Sequence, residues 1–175
     1  MKKKSKPSAR PAKFWPAVGF ATLAGMRSMS APAFLSHYLS HNPNNGLAKS
    51  RLRFLQKPLT ANLLKVVAAG EMVADKLPST PNRTAPPVLL GRLVAGALVG
   101  AAWYKSRHGS ALGGGLVGGL TAVAATFASY ALRTGISQQT DTPIALVGVG
   151  EDAAVLAGGT ALIRAQKPAH GRRVL

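Results

Sequence analysis

The 175-residue chain contains no cysteine and very few acidic residues. The absence of cysteine excludes disulfide bonds, thiolate metal sites and a cysteine nucleophile. Asp and Glu number 5 against 22 Lys and Arg, so the formal net charge is +17. A balance this basic is typical of a chain that meets either nucleic acid or an anionic membrane surface.

The positions of the basic residues favour the membrane. They cluster at 1–13, 49–57, 105–107 and 164–173, at the ends of apolar runs. A nucleic-acid binder more often mixes basic and aromatic residues along one face, whereas charges at the edges of apolar runs are typical of membrane proteins. We therefore expect a bilayer with anionic headgroups as the partner and no nucleic acid. Extraction without detergent would favour the alternative, a soluble nucleic-acid binder.

Five apolar segments can be drawn, over residues 14–39, 59–77, 87–104, 111–132 and 143–163. The fourth carries no charge, and a membrane core of about 30 Å needs about 20 such residues in a helix. The sequence predicts an all-α fold, a polytopic membrane helix bundle of about four to five spans. This domain covers residues 14–164, between disordered basic tails at 1–13 and 165–175. A signal peptide competes for the first segment, but the later segments favour an uncleaved span.

The orientation in the membrane does not follow from the sequence. With five spans and the N-terminus inside, the basic clusters fall on both sides of the bilayer, so the Lys/Arg bias does not decide. Residues 47–57 fit a short interfacial helix on anionic headgroups or, equally, a solvated basic loop.

Small residues at a spacing of four predict close helix packing. Gly96 and Gly100 have this spacing in the third segment, and Gly114 and Gly118 have it in the fourth. In lipid, such residues let two helix backbones approach closely. The contact is expected within one chain or between copies in a homo-oligomer.

Acidic residues inside apolar segments are the main chemical signal. Glu71 and Asp75 lie in the second segment, and Glu151 and Asp152 lie in the fifth. A charge at mid-bilayer costs at least about 2.5–3.5 kcal/mol, so such residues usually pair or face a wet cavity.

Arginines in the first and third segments, and in the loop before the third, are the candidate partners of these acids or contacts for an anion. They are Arg27, Arg83 and Arg92. Two hypotheses stay open: a cavity that binds or conducts a proton or cation, and a buried network that pins helices together. The dipeptide Gly-Glu occurs at 70–71 and again at 150–151. This recurrence suggests an inverted repeat, with the functional site at the interface between the two repeat units.

Catalytic patterns are missing. His37 and His41 stand four residues apart, but no third ligand lies near them in sequence. No Ser-His-Asp, P-loop or His-Glu-x-x-His pattern occurs. We therefore expect no catalytic residue, no metal and no cofactor, and the sequence favours a protein that is not an enzyme.

Several short stretches together resemble a bacterial membrane family, the one called domain of unknown function 4126. They are GMRSMSAP at 25–32, ADKLPSTPNRTAPPVLLGR at 74–92, with Glu71 just before it, and EDA at 151–153. The resemblance implies a helical, multi-pass inner-membrane protein without an established reaction.

The sequence thus favours a small transporter or channel that uses the intramembrane carboxylates to pass a proton, an ion or a small solute. The alternative is a non-transporting scaffold whose buried charges hold the helices together. A membrane enzyme acting on lipid headgroups is a third hypothesis.

Overall fold

A computed structural model of the chain describes residues 13–74, 85–140 and 143–166. Regular structure in these ranges is helical throughout, which confirms the all-α prediction for them. In chain order the elements are α1 (Phe14–Met26), α2 (Ser30–His41), α3 (Asn45–Ala48), a 3₁₀ helix (Arg51–Gln56), α4 (Pro58–Ala74), α5 (Pro86–Ser106), α6 (Ala111–Thr140) and α7 (Ile144–Gln166).

The first apolar segment does not form one helix, in contrast to the uninterrupted span predicted from its sequence. It divides into α1 and α2, and Arg27 between them has an extended backbone, with φ −143° and ψ 114°. Pro32 gives the physical reason, because proline has no N–H for the carbonyl of Ser28 and its ring crowds the preceding turn. Proline is tolerated in a first turn, and Pro32 is the third residue of α2.

The two helices of this segment, α1 and α2, fold back on each other, and their contacts with α5 show this most directly. Trp103, near the end of α5, packs against Phe20 of α1 with ring centroids 5.7 Å apart and against Tyr38 of α2 with centroids 5.9 Å apart. The junction between α1 and α2 lies instead near the start of α5, where Arg92 bonds to Gly25. Therefore α1 runs antiparallel to α5 and α2 runs parallel to it, so the pair is a helical hairpin.

The other helices enclose this hairpin. α7 packs along both halves, since Gly158 faces Leu23 of α1 and Gly159 lies against the ring of Phe34 in α2. α4 runs antiparallel to α2, because its end lies at the hairpin turn and the residues before its start bond to α2. Segment four of the sequence, by contrast, lies entirely within one continuous helix, the 30-residue α6. The two units of the hypothesised inverted repeat therefore differ in their element order.

One end of the bundle, which we call the basic face, collects the N-terminal end of α1, the connections α2–α4 and α5–α6, and the C-terminal end of α7. The hydroxyl of Tyr38 lies 3.2 Å from the carbonyl oxygen of Gln166, and Gly46 faces the carbonyl of Lys105. Among the described residues, the basic ones of this face are Lys13, Lys49, Arg51, Arg53, Lys57, Lys105, Arg107 and Arg164.

Many large apolar side chains lie on the outside of the bundle. Within the described ranges, three helical stretches are long and apolar enough to cross a membrane: Pro86–Ser106, Ala111–Thr140 and Leu146–Gln166. Leu112, Leu116 and Leu120 follow one side of α6 and are 75%, 59% and 70% exposed. A row of exposed leucines of this kind is typical of contact with lipid or with another protein.

Candidate functional site

The candidate site is built around the turn of the hairpin, residues 25–30, which we call the helix break. α1 ends here with carbonyl groups that have no partner inside the helix, and α2 begins here with free N–H groups. Orphaned polar groups in an apolar interior are costly unless other elements satisfy them.

A carboxylate from α4 satisfies the start of α2. The backbone N–H of Ser28 donates to Oε1 of Glu71 over 2.8 Å, and the N–H of Met29 donates to Oε2 over 2.8 Å. The amino end of a helix carries partial positive charge, so an anion is favourable there. Glu71 therefore caps α2 from a separate helix.

A cation and a hydroxyl satisfy the end of α1. Nη1 of Arg92 donates to the carbonyl oxygen of Gly25 over 2.6 Å, and Arg92 is only 2% exposed. Oγ1 of Thr126, in α6, lies 3.0 Å from the same carbonyl oxygen and 2.8 Å from that of Ala122. The carboxyl end of a helix carries partial negative charge, so the position of Arg92 is the electrostatic counterpart of Glu71.

An ion pair joins the helix break to α7. Nη2 of Arg27 lies 2.7 Å from Oδ1 of Asp152, and the two side chains are 1% and 12% exposed. Separating a buried ion pair is far more costly than breaking a surface pair, because water does not solvate the charges in an apolar interior. The pair therefore fixes α7 against the hairpin turn.

The structure thus brings four of the sequence-predicted charges to one place: Arg27, Glu71, Arg92 and Asp152. Two further candidates, Asp75 and Arg83, lie outside the described residues.

Glu151 is next to Asp152 in the chain but faces a different neighbour. Its Oε2 lies 3.9 Å from Nη1 of Arg133 in α6. Both side chains line a cavity of about 440 Å³ between α6 and α7, which Met26 also lines. Sequence reasoning did not assign Arg133 to the site because the predicted fourth segment stopped at residue 132, whereas α6 continues to Thr140.

A second cavity, of about 260 Å³, lies between α2, α4 and α7. Its walls are mostly apolar, with Ser30, His37 and Lys65 as the polar contributors. Along α7, Leu156 lines this cavity, whereas Glu151 and Ala154 line the larger one. On either side of Arg27 in the chain, Met26 lines the larger cavity and Ser30 lines the smaller one. The ion pair is therefore close in the chain to residues that line both cavities.

The four glycines singled out by spacing lie at the contact between α5 and α6. A Cβ added to Gly100 would overlap the carbonyl oxygen of Gly114, and one on Gly114 would overlap that of Gly100. Gly96 and Gly118 are related in the same way. The two backbones therefore touch directly, within one chain.

The two histidines stay on α2. Their ring centroids are 4.4 Å apart, and Nδ1 of His41 lies 2.9 Å from the carbonyl oxygen of His37. Over residues 13–74, 85–140 and 143–166, the side chains of His, Asp and Glu form no group of three that could hold a metal ion.

Comparison with known proteins places the chain in a family without an assigned activity. A family model described as "Domain of unknown function (DUF4126)" matches residues 16–167. No curated protein and no solved structure matches the chain.

Proposed function

We propose that this chain, which belongs to the family of domain of unknown function 4126, is a small membrane transporter or channel that is closed at the helix break. The supporting observation is the buried Arg27–Asp152 pair, which lies close in the chain to residues that line two cavities. In this proposal, a pathway that joins the cavities passes the pair.

In the proposed topology, α5, α6 and α7 are the long membrane-crossing helices, α4 is a shorter crossing of 17 residues, and α1 and α2 form a re-entrant hairpin. The 13 residues of α1 and the 12 of α2 rise about 20 Å and 18 Å, which is short of a core about 30 Å thick. Non-helical backbone at membrane depth is tolerated only where protein encloses it. The contacts of Glu71, Arg92 and Thr126 with the helix break meet that condition. An inverted repeat is not part of this topology.

The Lys/Arg distribution supports one orientation of this topology. The basic clusters of the described residues share the basic face, and Lys/Arg-rich loops are typical of the cytoplasmic side. The hairpin therefore enters the cytoplasmic (inner) membrane from the cytoplasm and returns there. Five full spans would have divided the same clusters between the two sides.

The cavity linings limit the cargo. The larger cavity offers Glu151 and Arg133, and the smaller one offers His37 and Lys65, each among apolar walls. Small charged or polar species, such as a proton, an inorganic ion or a small solute, suit these volumes. Of the three long apolar stretches, that of α7 is the least enclosed: 17% of an 18-residue stretch is buried, against 28% for α6 and 39% for α5. Movement of α7 away from Arg27 is therefore the proposed opening step.

A scaffold without transport is the second candidate, and a specific observation favours it. Glu71 and Arg92 bond to the two helix ends of the break, so their charges serve the packing of the hairpin. In a scaffold, the Arg27–Asp152 pair would likewise act only as a link between helices.

Flux through proteoliposomes distinguishes these functions. Purified full-length chain is reconstituted, and the passage of H⁺, Na⁺, K⁺, Cl⁻ and inorganic phosphate is measured one at a time under an imposed gradient. The double variant Arg27→Gln/Asp152→Asn removes both charges of the pair without leaving one unpaired. A transporter closed by the pair should give a selective flux in the unmodified chain and several-fold faster leakage in the double variant.

Thr160→Val, an exposed change on α7, is the matched control and should behave as the unmodified chain. If no species moves in any of these folded proteins, the transporter proposal is wrong and the scaffold is preferred.

A further inference from the structure

The basic face carries a concave surface formed by residues 48–57. Its volume is about 490 Å³, and its lining includes Lys49, Arg51, Arg53, Lys57 and Phe54. All five of these side chains are exposed, and Phe54 is 40% exposed. We call this surface the basic pocket.

The backbone that carries the basic pocket is held in place. Leu47 and Leu55 are fully buried, and Oγ of Ser36 in α2 donates to the carbonyl oxygen of Leu55 over 2.8 Å. The side chain of Gln56 bonds to the backbone of Asn44 on both sides, accepting from its N–H over 2.8 Å and donating to its carbonyl over 3.3 Å. The basic side chains therefore project from an anchored 3₁₀ helix.

The charge of the basic pocket has no acidic counterpart nearby in the described part of the chain. The carboxylates described there are those of Glu71, Glu151 and Asp152, which lie at the helix break or in the cavity beside it. Four bases within nine residues thus present a positive surface that favours an anion. Arginine and lysine are the usual ligands of phosphate groups.

The neighbourhood of the basic pocket indicates that the anion belongs to an amphiphile. Phe54 stands among the bases, and α4 begins directly after Lys57, at Pro58, with Leu59 of its first turn 70% exposed. An aromatic ring and an apolar helix beside a phosphate-binding surface suit a molecule with a charged head and acyl chains. At the membrane interface, that molecule is a phospholipid.

We propose that the basic pocket binds the headgroup phosphate of an anionic phospholipid in the leaflet that meets the basic face. This inference rests on the membrane topology proposed above but not on transport. By the Lys/Arg distribution that leaflet is the cytoplasmic one, whose anionic lipids attract basic segments next to a membrane helix.

Native mass spectrometry of the full chain in detergent tests the proposal. Phosphatidylglycerol and phosphatidylcholine are titrated separately, and we expect about tenfold preference for phosphatidylglycerol in the unmodified chain. The triple variant Arg51→Gln/Arg53→Gln/Lys57→Gln should lower that preference to about threefold or less. Its changes are at exposed positions, so thermal denaturation should show an unchanged fold.

The matched control removes the same charge elsewhere on the basic face: Lys13→Gln/Lys105→Gln/Arg164→Gln. This variant should keep the preference of the unmodified chain. An equal loss in both triple variants would show an effect of net charge alone and overturn the proposal.

Inorganic phosphate distinguishes the two sources of the anion. If the pocket recognises lipid, phosphatidylglycerol should still bind at phosphate concentrations far above its own, and Phe54→Ser should weaken lipid binding alone. Displacement by equimolar phosphate would indicate a site for the free ion and contradict the proposal. A failed flux assay leaves this result standing, and failed lipid binding leaves the flux assay unaffected.

Discussion

Two regions of the bundle are held together by opposite means. At the α5–α6 contact, Gly100 and Gly114 have no side chains and the two backbones touch. At the helix break, backbone N–H and C=O groups have no partner within a helix, and the side chains of Glu71, Arg92 and Thr126 form hydrogen bonds with them. The first contact is close packing between two regular helices. The second is a polar cluster that replaces helical hydrogen bonds.

The two regions lose different interactions when they are disturbed. A glycine contact that is widened loses dispersion contacts but exposes no charge. A disturbed helix break leaves charges or backbone groups unpaired in an apolar interior, which costs more. We therefore expect the helix break to be the more sensitive region wherever a substitution leaves a charge or a backbone group unpaired, and four substitutions test this.

The largest effect is expected for Asp152→Asn. It removes the carboxylate that lies 2.7 Å from the buried guanidinium of Arg27, which should lower the free energy of unfolding by about 3–5 kcal/mol. Unfolding in mixed detergent micelles, followed by circular dichroism, measures this. Glu151→Gln is the neighbouring control and should cost much less, since its cation lies 3.9 Å away. Equal losses of stability in both variants would show that the Arg27–Asp152 pair contributes no more than the Glu151–Arg133 pair.

Glu71→Ala should follow, with a loss of about 2–3 kcal/mol, because it removes the acceptor of two charge-assisted hydrogen bonds. The N–H groups of Ser28 and Met29 would be left without that acceptor. Asn62→Ala, at an exposed position of the same helix, should leave unfolding unchanged. A stable Glu71→Ala protein would contradict the capping role.

Gly100→Ala should lower the stability by about 1–3 kcal/mol, because the added Cβ pushes α5 away from the backbone of Gly114. Gly91→Ala is the matched control in the same helix, where a Cβ would meet nothing within 4 Å. That variant should be neutral or up to about 1 kcal/mol more stable, as alanine favours helix. If both variants have the same free energy of unfolding, the close contact of α5 and α6 does not determine the stability.

Thr126→Val should have the smallest effect, a loss of about 1 kcal/mol, because Arg92 still bonds to the carbonyl of Gly25. The same measurement on Thr160→Val, whose hydroxyl bonds only within α7 in the described structure, should show little change. A loss as large as that of Asp152→Asn would reverse the proposed order.

The two regions also differ in how far the sequence predicts them. Gly96, Gly100, Gly114 and Gly118 are spaced by four in neighbouring segments, so local spacing is enough to suggest their contact. The acids and arginines of the helix break could be named as unusual, but their partners could not. Ser28 and Glu71 are 43 residues apart, and Gly25 and Thr126 are 101 apart. Pairings at that distance depend on the fold.

The sequence contains a local indication of the hairpin, because Pro32 and the serines before it are typical of a helix start. The apolar residues on both sides nevertheless favour one continuous span. The missed break also explains why the orientation stayed open, because counting a fifth full span places the basic clusters on both sides.

Labelling from either side of the membrane tests the re-entrant hairpin most directly. The chain has no cysteine, so Lys13→Cys, Ser50→Cys and Gln138→Cys each introduce a single thiol for a membrane-impermeant maleimide. Right-side-out and inside-out vesicles are labelled in parallel. The hairpin predicts that Lys13→Cys and Ser50→Cys react from the same side and Gln138→Cys from the opposite side. Labelling of Lys13→Cys and Ser50→Cys from opposite sides would mean that residues 14–41 cross the membrane, in contradiction to the proposed topology.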